Sequence, residues 1–350
     1  MKPLLTAALI FALASSSSAQ TSPVEISIPG AVDIDHRALQ TRALAVLESQ
    51  FGAFRSAAAD LEKTSVLFCA GALPRDEYLA VFRTAWLAWA PLDSYQFGPV
   101  EQSGAALRVN FWPDKKNFTG RALHQLLKAT PKAQSDPAFI ARGSAAAQGL
   151  PAIERLLFTD AEECPAITGI SANLSDIADG LYTGWFSGDG WADLVRAAGP
   201  DNPVYLNDAE FTKTLYTALH FGLTRVGDAR LGRPLGSFDR PFPKRAEAWR
   251  AGLTADIMSA QISGVSDMLR DGFGAAVPSQ NLQRALDAFA AVQDRLHQIG
   301  APVPEAVIDP ALRIRVESLQ NMTLALRSVL NRDIGARLKV ETGFSAADGD

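Results

Sequence analysis

Apolar side chains recur at spacings of three and four residues along most of this chain, and this repeat predicts helices rather than strands. The first clear case places the following residues on one face of a long helix: Leu39, Ala43, Leu44, Leu47, Phe51 and Phe54. No comparable set of alternating strands is present, and only residues 24–28 and 337–341 have short alternations that suggest small extended pieces. The chain is therefore predicted to be all-α.

Proline, glycine and capping residues predict where the helices begin and end. Pro91 should end the second helix, and Asp136 before Pro137 is typical of a helix start. Residues 228–245 are rich in Gly, Pro and Arg and are predicted to be a loop.

The segment Pro-Asp-Asn-Pro at residues 200–203 is the clearest linker. About four helices are predicted on each side of it, as antiparallel bundles require. We therefore predict two helical bundles packed together, at residues 30–200 and 201–350.

The N-terminus has the pattern of a secretory signal peptide over residues 1–19. Lys2 gives a positive start, an apolar run follows at residues 4–14, and Ser17-Ser18-Ala19 has the small residues that a signal peptidase reads. Cleavage near Ala19 predicts a periplasmic or secreted protein. No later run approaches the roughly 20 apolar residues of a membrane span, so the mature chain is predicted to be soluble.

Composition and charge are those of an ordinary globular protein. Apolar residues make up 47% and charged residues 20% of the chain, close to the averages for soluble proteins. The formal charge of −5 becomes −6 when Lys2 leaves with the signal peptide, and no cluster of Lys and Arg forms a nucleic-acid footprint. No nucleic-acid partner is therefore predicted.

The chain contains two cysteines, Cys69 and Cys164. In an exported protein this even, minimal count favours one disulfide, and the alternative is two free buried thiols. A bridge would close a loop of about 95 residues, for which loop-closure entropy predicts a stabilisation of roughly 4–5 kcal/mol.

Several segments resemble the imelysin family. Residues 149–158 are similar to its signature helix, whose motif is Gly-x-His-x-x-Glu, and residues 343–350 resemble the Gly-Phe-x-x-x-Asp-Gly-Asp ending of many members. Residues 86–89 and 97–100 also resemble an early helical segment of the family. The resemblance covers most of residues 35–350 and implies a fold of two helical bundles.

One departure from the signature motif bears on function. Gly149 and Glu154 are in register, but Pro151 stands where the family has histidine. His and Glu spaced by three residues project from one helix face and can bind one metal ion, whereas proline offers no donor. Proline also lacks a backbone N–H, which predicts a kink or a break between Ala147 and Pro151. Glu154 is then at most the one metal ligand of this helix.

We predict that Gly149, Pro151, Glu154 and Arg155 belong to a ligand pocket between the bundles, which is where ligand sites tend to occur. The alternative is that Glu154 is a glutamate on the helix surface, paired with a nearby arginine.

A second group of candidate ligand-binding residues lies at residues 224–236, where imelysin-like proteins carry a similar Lys/Arg-x-x-Pro-Leu segment. It contains Arg225, Asp228, Arg230 and Arg233, and guanidinium groups bind anions in a bidentate manner. The alternative is a solvated loop whose arginines pair with neighbouring carboxylates.

The four histidines form no motif. His36, His124, His220 and His297 lie far apart, and none has a second ligand at a recognised spacing. No His-Glu-x-x-His and no Gly-x-Ser-x-Gly motif occurs. For the cofactor, a weakly bound metal ion such as iron and no metal at all both stay open.

Two functions are compatible with these observations. The resemblance implies a periplasmic ligand-binding or accessory protein associated with iron uptake, with a small ligand or metal and an outer-membrane or periplasmic uptake component as partners. The alternative is a metal-dependent peptidase of the imelysin type. Metal-assisted hydrolysis needs about three protein ligands and an open position, and Pro151 removes one of them. We therefore favour binding and assign no catalytic residue.

Overall fold

Helices account for the regular structure of the chain. The computed structural model describes residues 34–159 and 163–340. Within these residues there is no β-strand, and the single β-bridge joins Ser237 to Arg240, so the all-α prediction is confirmed. The predicted signal peptide, the alternation at residues 24–28 and the C-terminal motif at residues 343–350 lie outside the described residues.

The longer helices in chain order are α1 (His36–Cys69), α2 (Arg75–Trp89), α3 (Phe118–Leu126), α4 (Leu150–Leu157), α5 (Cys164–Phe186), α6 (Asp208–Thr224), α7 (Thr254–Asp267), α8 (Ser279–His297) and α9 (Pro310–Leu330). Short α-helical turns lie at Pro99–Gln102, Ala105–Val109, Pro131–Gln134, Pro137–Ala141, Trp191–Arg196, Gly232–Leu235, Val303–Ala306 and Ala336–Leu338. Turns of 3₁₀-helix lie at Leu92–Ser94, Ala145–Ala147, Pro243–Arg245 and Gly274–Ala276. Three π-helical segments continue α6, α7 and α9, at Arg225–Leu231, Met268–Phe273 and Asn331–Gly335.

Helix α1 carries the apolar face predicted from the sequence. Leu39, Leu47 and Phe54 are fully buried, and α2, α5, α6 and the segment Met268–Phe273 pack against the helix. Removing each large apolar side chain from water contributes about 1.5–3 kcal/mol, so this face is a main source of the fold's stability.

The ends of α1 follow from local sequence. The Asp35 carboxylate accepts a hydrogen bond of 2.9 Å from the Ala38 amide and caps the first turn. At the other end, Gly71 adopts a left-handed φ of +71°, and the Gly71 and Ala72 amides donate back to the carbonyls of Phe68 and Leu67. These two bonds form a Schellman motif, which satisfies carbonyls that the helix leaves free.

The break predicted between Ala147 and Pro151 is confirmed. A 3₁₀ turn ends at Ala147 and α4 begins afresh at Leu150, so Pro151 lies in the first turn of α4. An amide in the first helical turn has no intrahelical partner, so proline removes no helix hydrogen bond there.

The loop predicted for residues 228–245 is wrong for its first part. The π-helical segment Arg225–Leu231 and the turn Gly232–Leu235 keep the chain helical until Gly236, where φ is +56°. No extended piece is present at residues 337–340 either, since Ala336–Leu338 is helical.

By its internal contacts the part of the chain that the structure describes forms one compact unit. The division into bundles at residues 30–200 and 201–350 stays a prediction. No helix in the described ranges combines the length and the apolar character needed to cross a bilayer.

The predicted disulfide between Cys69 and Cys164 is confirmed. It joins the last residue of α1 to the first residue of α5, with the two Cα atoms 5.5 Å apart. Because α1 and α5 also pack along their lengths, the bond ties together two helices that form the same part of the core.

We predict that Cys69→Ser lowers the free energy of unfolding by up to roughly 4–5 kcal/mol, because the unfolded chain regains the entropy of a long loop. Urea denaturation measures the loss. A reducing agent should destabilise the wild type to the same extent but leave the double variant Cys69→Ser/Cys164→Ser unchanged. Equal stability of oxidised and reduced wild type would contradict this role.

Candidate functional site

A cavity of about 560 Å³ lies beside α4 and contains the predicted residues Pro151, Glu154 and Arg155 in its wall. Its other lining residues come from residues 86–119 and 233–250, on both sides of the predicted linker. Four aromatic side chains form part of the wall: Trp86, Phe111, Trp112 and Trp249.

Gly149 lets the chain enter α4 at this place. A Cβ atom on Gly149 would collide with the carbonyl oxygens of Arg108 and Val109, so only glycine permits this approach of two backbones. Residues 151, 154 and 155 then project from one side of the helix, because positions three and four apart share a face. Gly149 therefore supports the cavity without lining it.

Glu154 is buried and anchors the opposite wall of the cavity. Its side chain is 4% exposed, and Oε1 accepts hydrogen bonds of 2.9 Å from the Arg250 amide and 3.0 Å from the Ala251 amide. Its Oε2 lies 3.7 Å from the Arg250 Nη1. One carboxylate thus fixes the backbone where the chain passes from Trp249 towards α7.

The environment of Glu154 opposes its ionisation. Burial raises the pKa of the carboxyl, while the Ala251 and Arg250 amides and the Arg250 charge act in the other direction. The net shift is upward, so removal from water outweighs these favourable contacts.

Arg225 and Arg230 lie behind the cavity in a buried network of charges. The Arg230 Nε donates to Glu247 Oε2 at 2.6 Å, and its Nη2 donates to Asp93 Oδ2 at 2.8 Å. The Arg225 Nε donates to the same Asp93 oxygen at 3.0 Å. Although burial acts to raise the pKa of Asp93, the two arginine charges hold it below its ordinary value. Neither arginine lines the cavity, and Asp228 is exposed.

The π-helical segment Arg225–Leu231 explains how two arginines five residues apart reach one carboxylate. In an α-helix, side chains five apart would point about 140° away from each other. The wider π turn brings them closer to one side, and such turns are frequent at functional sites. Asp93 lies 137 residues from Arg230 and Glu247 lies 17 residues from it, and neither separation is a spacing that brings side chains together on one helix.

Among the described residues, six basic side chains line the cavity, and we call them the cationic wall: Lys115, Arg155, Arg233, Lys244, Arg245 and Arg250. The three lining carboxylates are already engaged. Asp114 accepts from the Phe118 and Thr119 amides, Glu154 accepts from two amides, and Glu247 pairs with Arg230. The cavity therefore has an excess of positive charge.

Arg233 is the least satisfied member of the cationic wall. Its Nε is buried without a hydrogen-bond partner among the described residues, and none of their carboxylates pairs with its guanidinium. Burial lowers the pKa of Arg233, and the charges of Arg245 and Arg225 lower it further. A cation in this position is stabilised by any anion that enters the cavity.

The histidines do not converge on the cavity. His36 Nδ1 lies 2.9 Å from Thr212 Oγ1, and His220 packs edge-on against Tyr216, where burial lowers its pKa to about 4. His124 and His297 are exposed.

The donor set around the signature helix does not fit a metal ion. Pro151 offers no donor atom, and Glu154 Oε1 already accepts two amide hydrogen bonds. Within residues 34–159 and 163–340, no three side chains of His, Cys, Asp or Glu are grouped so that they could hold a metal.

The all-α fold with this signature segment defines a known class of protein. The family described as imelysin, peptidase M75, matches residues 48–330, and the chain belongs to it. Among curated proteins, none matches the chain significantly.

Two solved structures share the fold. One is an imelysin-like protein from Psychrobacter arcticum 273-4, which is 18% identical, with a TM-score of 0.73 over 90% of this chain and 99% of that one. The other, from Parabacteroides distasonis ATCC 8503, carries the name iron-regulated protein A precursor. It is 13% identical, with a TM-score of 0.70 over 87% of this chain and 97% of that one.

We predict a distinctive pH dependence for Glu154. Because its pKa is raised, the folded chain holds this proton to a higher pH than the unfolded chain, whose glutamates titrate at about 4.3. The stability of the wild type should therefore fall, through this group, as the pH rises from about 4.3 through the folded-state pKa. Glu154→Gln keeps an oxygen for both amides and does not ionise. Its free energy of unfolding relative to wild type should rise over that window and level off above it.

Urea denaturation between about pH 4 and about pH 8 measures this difference. Glu101→Gln, at an exposed position, is the matched control and should show no such rise. Glu154→Ala should be destabilised at every pH by roughly 1–3 kcal/mol, because two amides lose their acceptor. A flat difference for Glu154→Gln would contradict the pKa shift.

Proposed function

We propose that this imelysin-family protein is an exported ligand-binding or accessory protein associated with iron uptake, and that the cavity beside α4 binds a small organic anion. The observation that carries the proposal is Arg233, a partly buried cation without a carboxylate partner among the described residues. Removing part of a cation from water without a counter-charge costs free energy, and an anionic ligand would reduce that cost.

The surroundings of Arg233 support the same conclusion. Of the carboxylates in the wall, Asp114 accepts from two amides, Glu247 pairs with Arg230 and Glu154 lies 3.7 Å from Arg250. None of them pairs with Arg155, Arg233 or Arg245. Arginine also presents a planar fork of donors that suits carboxylate and phosphate groups. A neutral ligand would leave these charges uncompensated.

The size of the cavity supports a small molecule as ligand. Its volume of about 560 Å³ lies within the range of roughly 300–1,000 Å³ that is usual for small-molecule sites. The aromatic side chains Phe111, Trp112 and Trp249 provide apolar surface for the ligand's carbon skeleton.

The residues of this site favour binding over metal-assisted hydrolysis. Such hydrolysis needs about three protein ligands and an open coordination position. Glu154 and Pro151, the two motif positions, offer one carboxylate that is already engaged and no second donor.

In this proposal Arg155, Arg233 and Arg250 contact the ligand, and Glu154 positions Arg250. Arg225 and Arg230 hold the wall from behind, since Arg225 lies 5.3 Å from the centre of the Trp112 ring and Arg230 pairs with Glu247. Export is supported by the signal-peptide pattern at residues 1–19, and the link to iron by the name of the Parabacteroides protein.

We predict that citrate, used as a probe anion, binds the wild type and that Arg233→Gln weakens this binding roughly tenfold to hundredfold. A charge-assisted hydrogen bond contributes about 1.5–3 kcal/mol, which gives that range. Isothermal titration calorimetry measures the affinity, with ferric citrate as a second probe. Binding should weaken as salt is added, because the attraction is electrostatic.

Arg196→Gln is the control, since it removes one positive charge from an exposed site that does not line the cavity. Its affinity for citrate should equal that of the wild type. Equal weakening by both variants would mean that net charge, rather than the cavity, attracts the probe. No binding of citrate, ferric citrate or phosphate would count against the proposed anion site.

We further predict that the protein accumulates in the periplasmic fraction without residues 1–19, and that its amount rises when cells are grown with an iron chelator. Immunoblotting of fractions and N-terminal sequencing measure both properties. Full-length protein in the cytoplasmic fraction would contradict export, and an unchanged amount would contradict the association with iron.

A further inference from the structure

Two cations of the cationic wall form a first group at α4. Arg155 comes from α4 itself, and its Nη1 donates to Asn117 Oδ1 at 2.5 Å. Arg250 comes from the opposite wall, next to Glu154. Both guanidinium groups line the cavity on either side of Glu154, since Arg155 follows it on α4 and Arg250 lies 3.7 Å from its carboxylate. Burial lowers the pKa of Arg250 against the opposing charge of Glu154, and the charge of Arg155 lowers it further.

A second group lies where the chain leaves the π-helical segment. Arg233 belongs to the turn Gly232–Leu235 and Arg245 to the turn Pro243–Arg245. The two turns are neighbours, because the Phe242 amide donates to the Pro234 carbonyl at 2.8 Å and Arg245 stacks on Phe242. The charge of Arg245 accordingly lowers the pKa of Arg233 in addition to burial. Neither has a carboxylate partner among the described residues.

Aromatic rings hold several of these cations in place without neutralising them. The Arg250 guanidinium lies 4.4 Å from the centre of the Trp249 ring, and the Lys244 ammonium lies 5.5 Å from it. Arg245 stacks on Phe242 at 3.6 Å. A cation–π contact orients the side chain but leaves its full charge available to a ligand. Less side-chain freedom is then lost on binding.

We propose that the ligand of this cavity carries two separate oxyanion groups, one received by Arg155 and Arg250 and the other by Arg233 and Arg245. The ligand class is a small organic dicarboxylate, polycarboxylate or bisphosphate with an apolar connection that lies along Phe111 and Trp112. This inference rests on the proposed anion-binding function and adds the number and placement of the charges.

The two-group arrangement has a measurable consequence. Once one anionic group of the ligand is bound, the other is held close to the second pair of arginines. A ligand that reaches both pairs should therefore bind more tightly than the matched monoanion. We expect a gain of roughly tenfold to hundredfold, the range that one charge-assisted contact supplies. The gain should depend on the distance between the two anionic groups, because too short a ligand reaches only one pair of arginines.

The test is calorimetric titration at low salt with matched pairs of probes. Valerate and glutarate have the same number of carbons but one and two carboxylates, and adipate and pimelate extend the spacing. Propylphosphonate and propane-1,3-diphosphonate form the corresponding phosphorus pair. They show whether the site binds phosphonate groups or carboxylate groups more tightly. For at least one of these chain lengths, the probe with two anionic groups should bind roughly tenfold or more tightly than the matched probe with one.

Variants locate the two contacts. Arg155→Gln and Arg233→Gln should each reduce the affinity for the best dianion to about that of the monoanion, while Arg196→Gln leaves it unchanged. Thermal unfolding of each variant verifies that the fold is retained. If Arg155→Gln alone fails to fold, Arg250→Gln replaces it, since both belong to the first group.

The outcomes separate the two proposals. Monoanions that bind as tightly as every dianion would overturn the two-group inference while leaving the anion site intact. A dianion that loses affinity in only one of the two variants would also overturn it, because one pair of arginines would then suffice. Absence of binding by all probes would instead reject the proposed anion-binding function.

Discussion

The guanidinium of Arg230 joins three segments of the chain. It binds Asp93 in the turn after α2 and Glu247 in the cavity wall, and it is itself carried by the π-helical continuation of α6. All three side chains are buried. A charge in that position is tolerated only when it is paired, so removing one partner would leave an uncompensated buried charge. The cavity wall therefore depends on this network for its shape.

The same pairing explains the sign of the cavity's charge. The carboxylates nearest to the cavity are used for structural contacts: Glu247 with Arg230, Glu154 with two backbone amides, and Asp114 at the start of α3. Lys244, Arg245 and Arg250 contact aromatic rings, which leave their charge in place. A chain with a formal charge of −5 thus encloses a positively charged cavity, because local placement rather than net charge sets the local field.

Local patterns predicted the parts of the fold that depend on neighbouring residues. The apolar face of α1, the break before Pro151 and the pairing of the two cysteines are all confirmed. The sequence does not predict the helical continuation at residues 228–235. Glycine and proline content favours a loop there, but it does not show which backbone amides need a hydrogen-bond partner. The sequence predicts a pocket with Glu154 and Arg155 and includes Arg233 among the candidate ligand-binding residues, but no motif or spacing indicates the other cations of the wall: Lys115, Lys244, Arg245 and Arg250.

The sequence by itself determined the all-α class, the resemblance to imelysins and the loss of the histidine at Pro151, since these follow from periodicity, motif and residue type. Only the tertiary structure decided which charged side chains have an oppositely charged partner among the described residues and which do not. Asp93 and Arg230 are 137 residues apart, and Glu154 and Arg250 are also separated by a long stretch of chain. Burial and pairing between such residues arise from packing, and packing is not encoded in any short stretch of sequence.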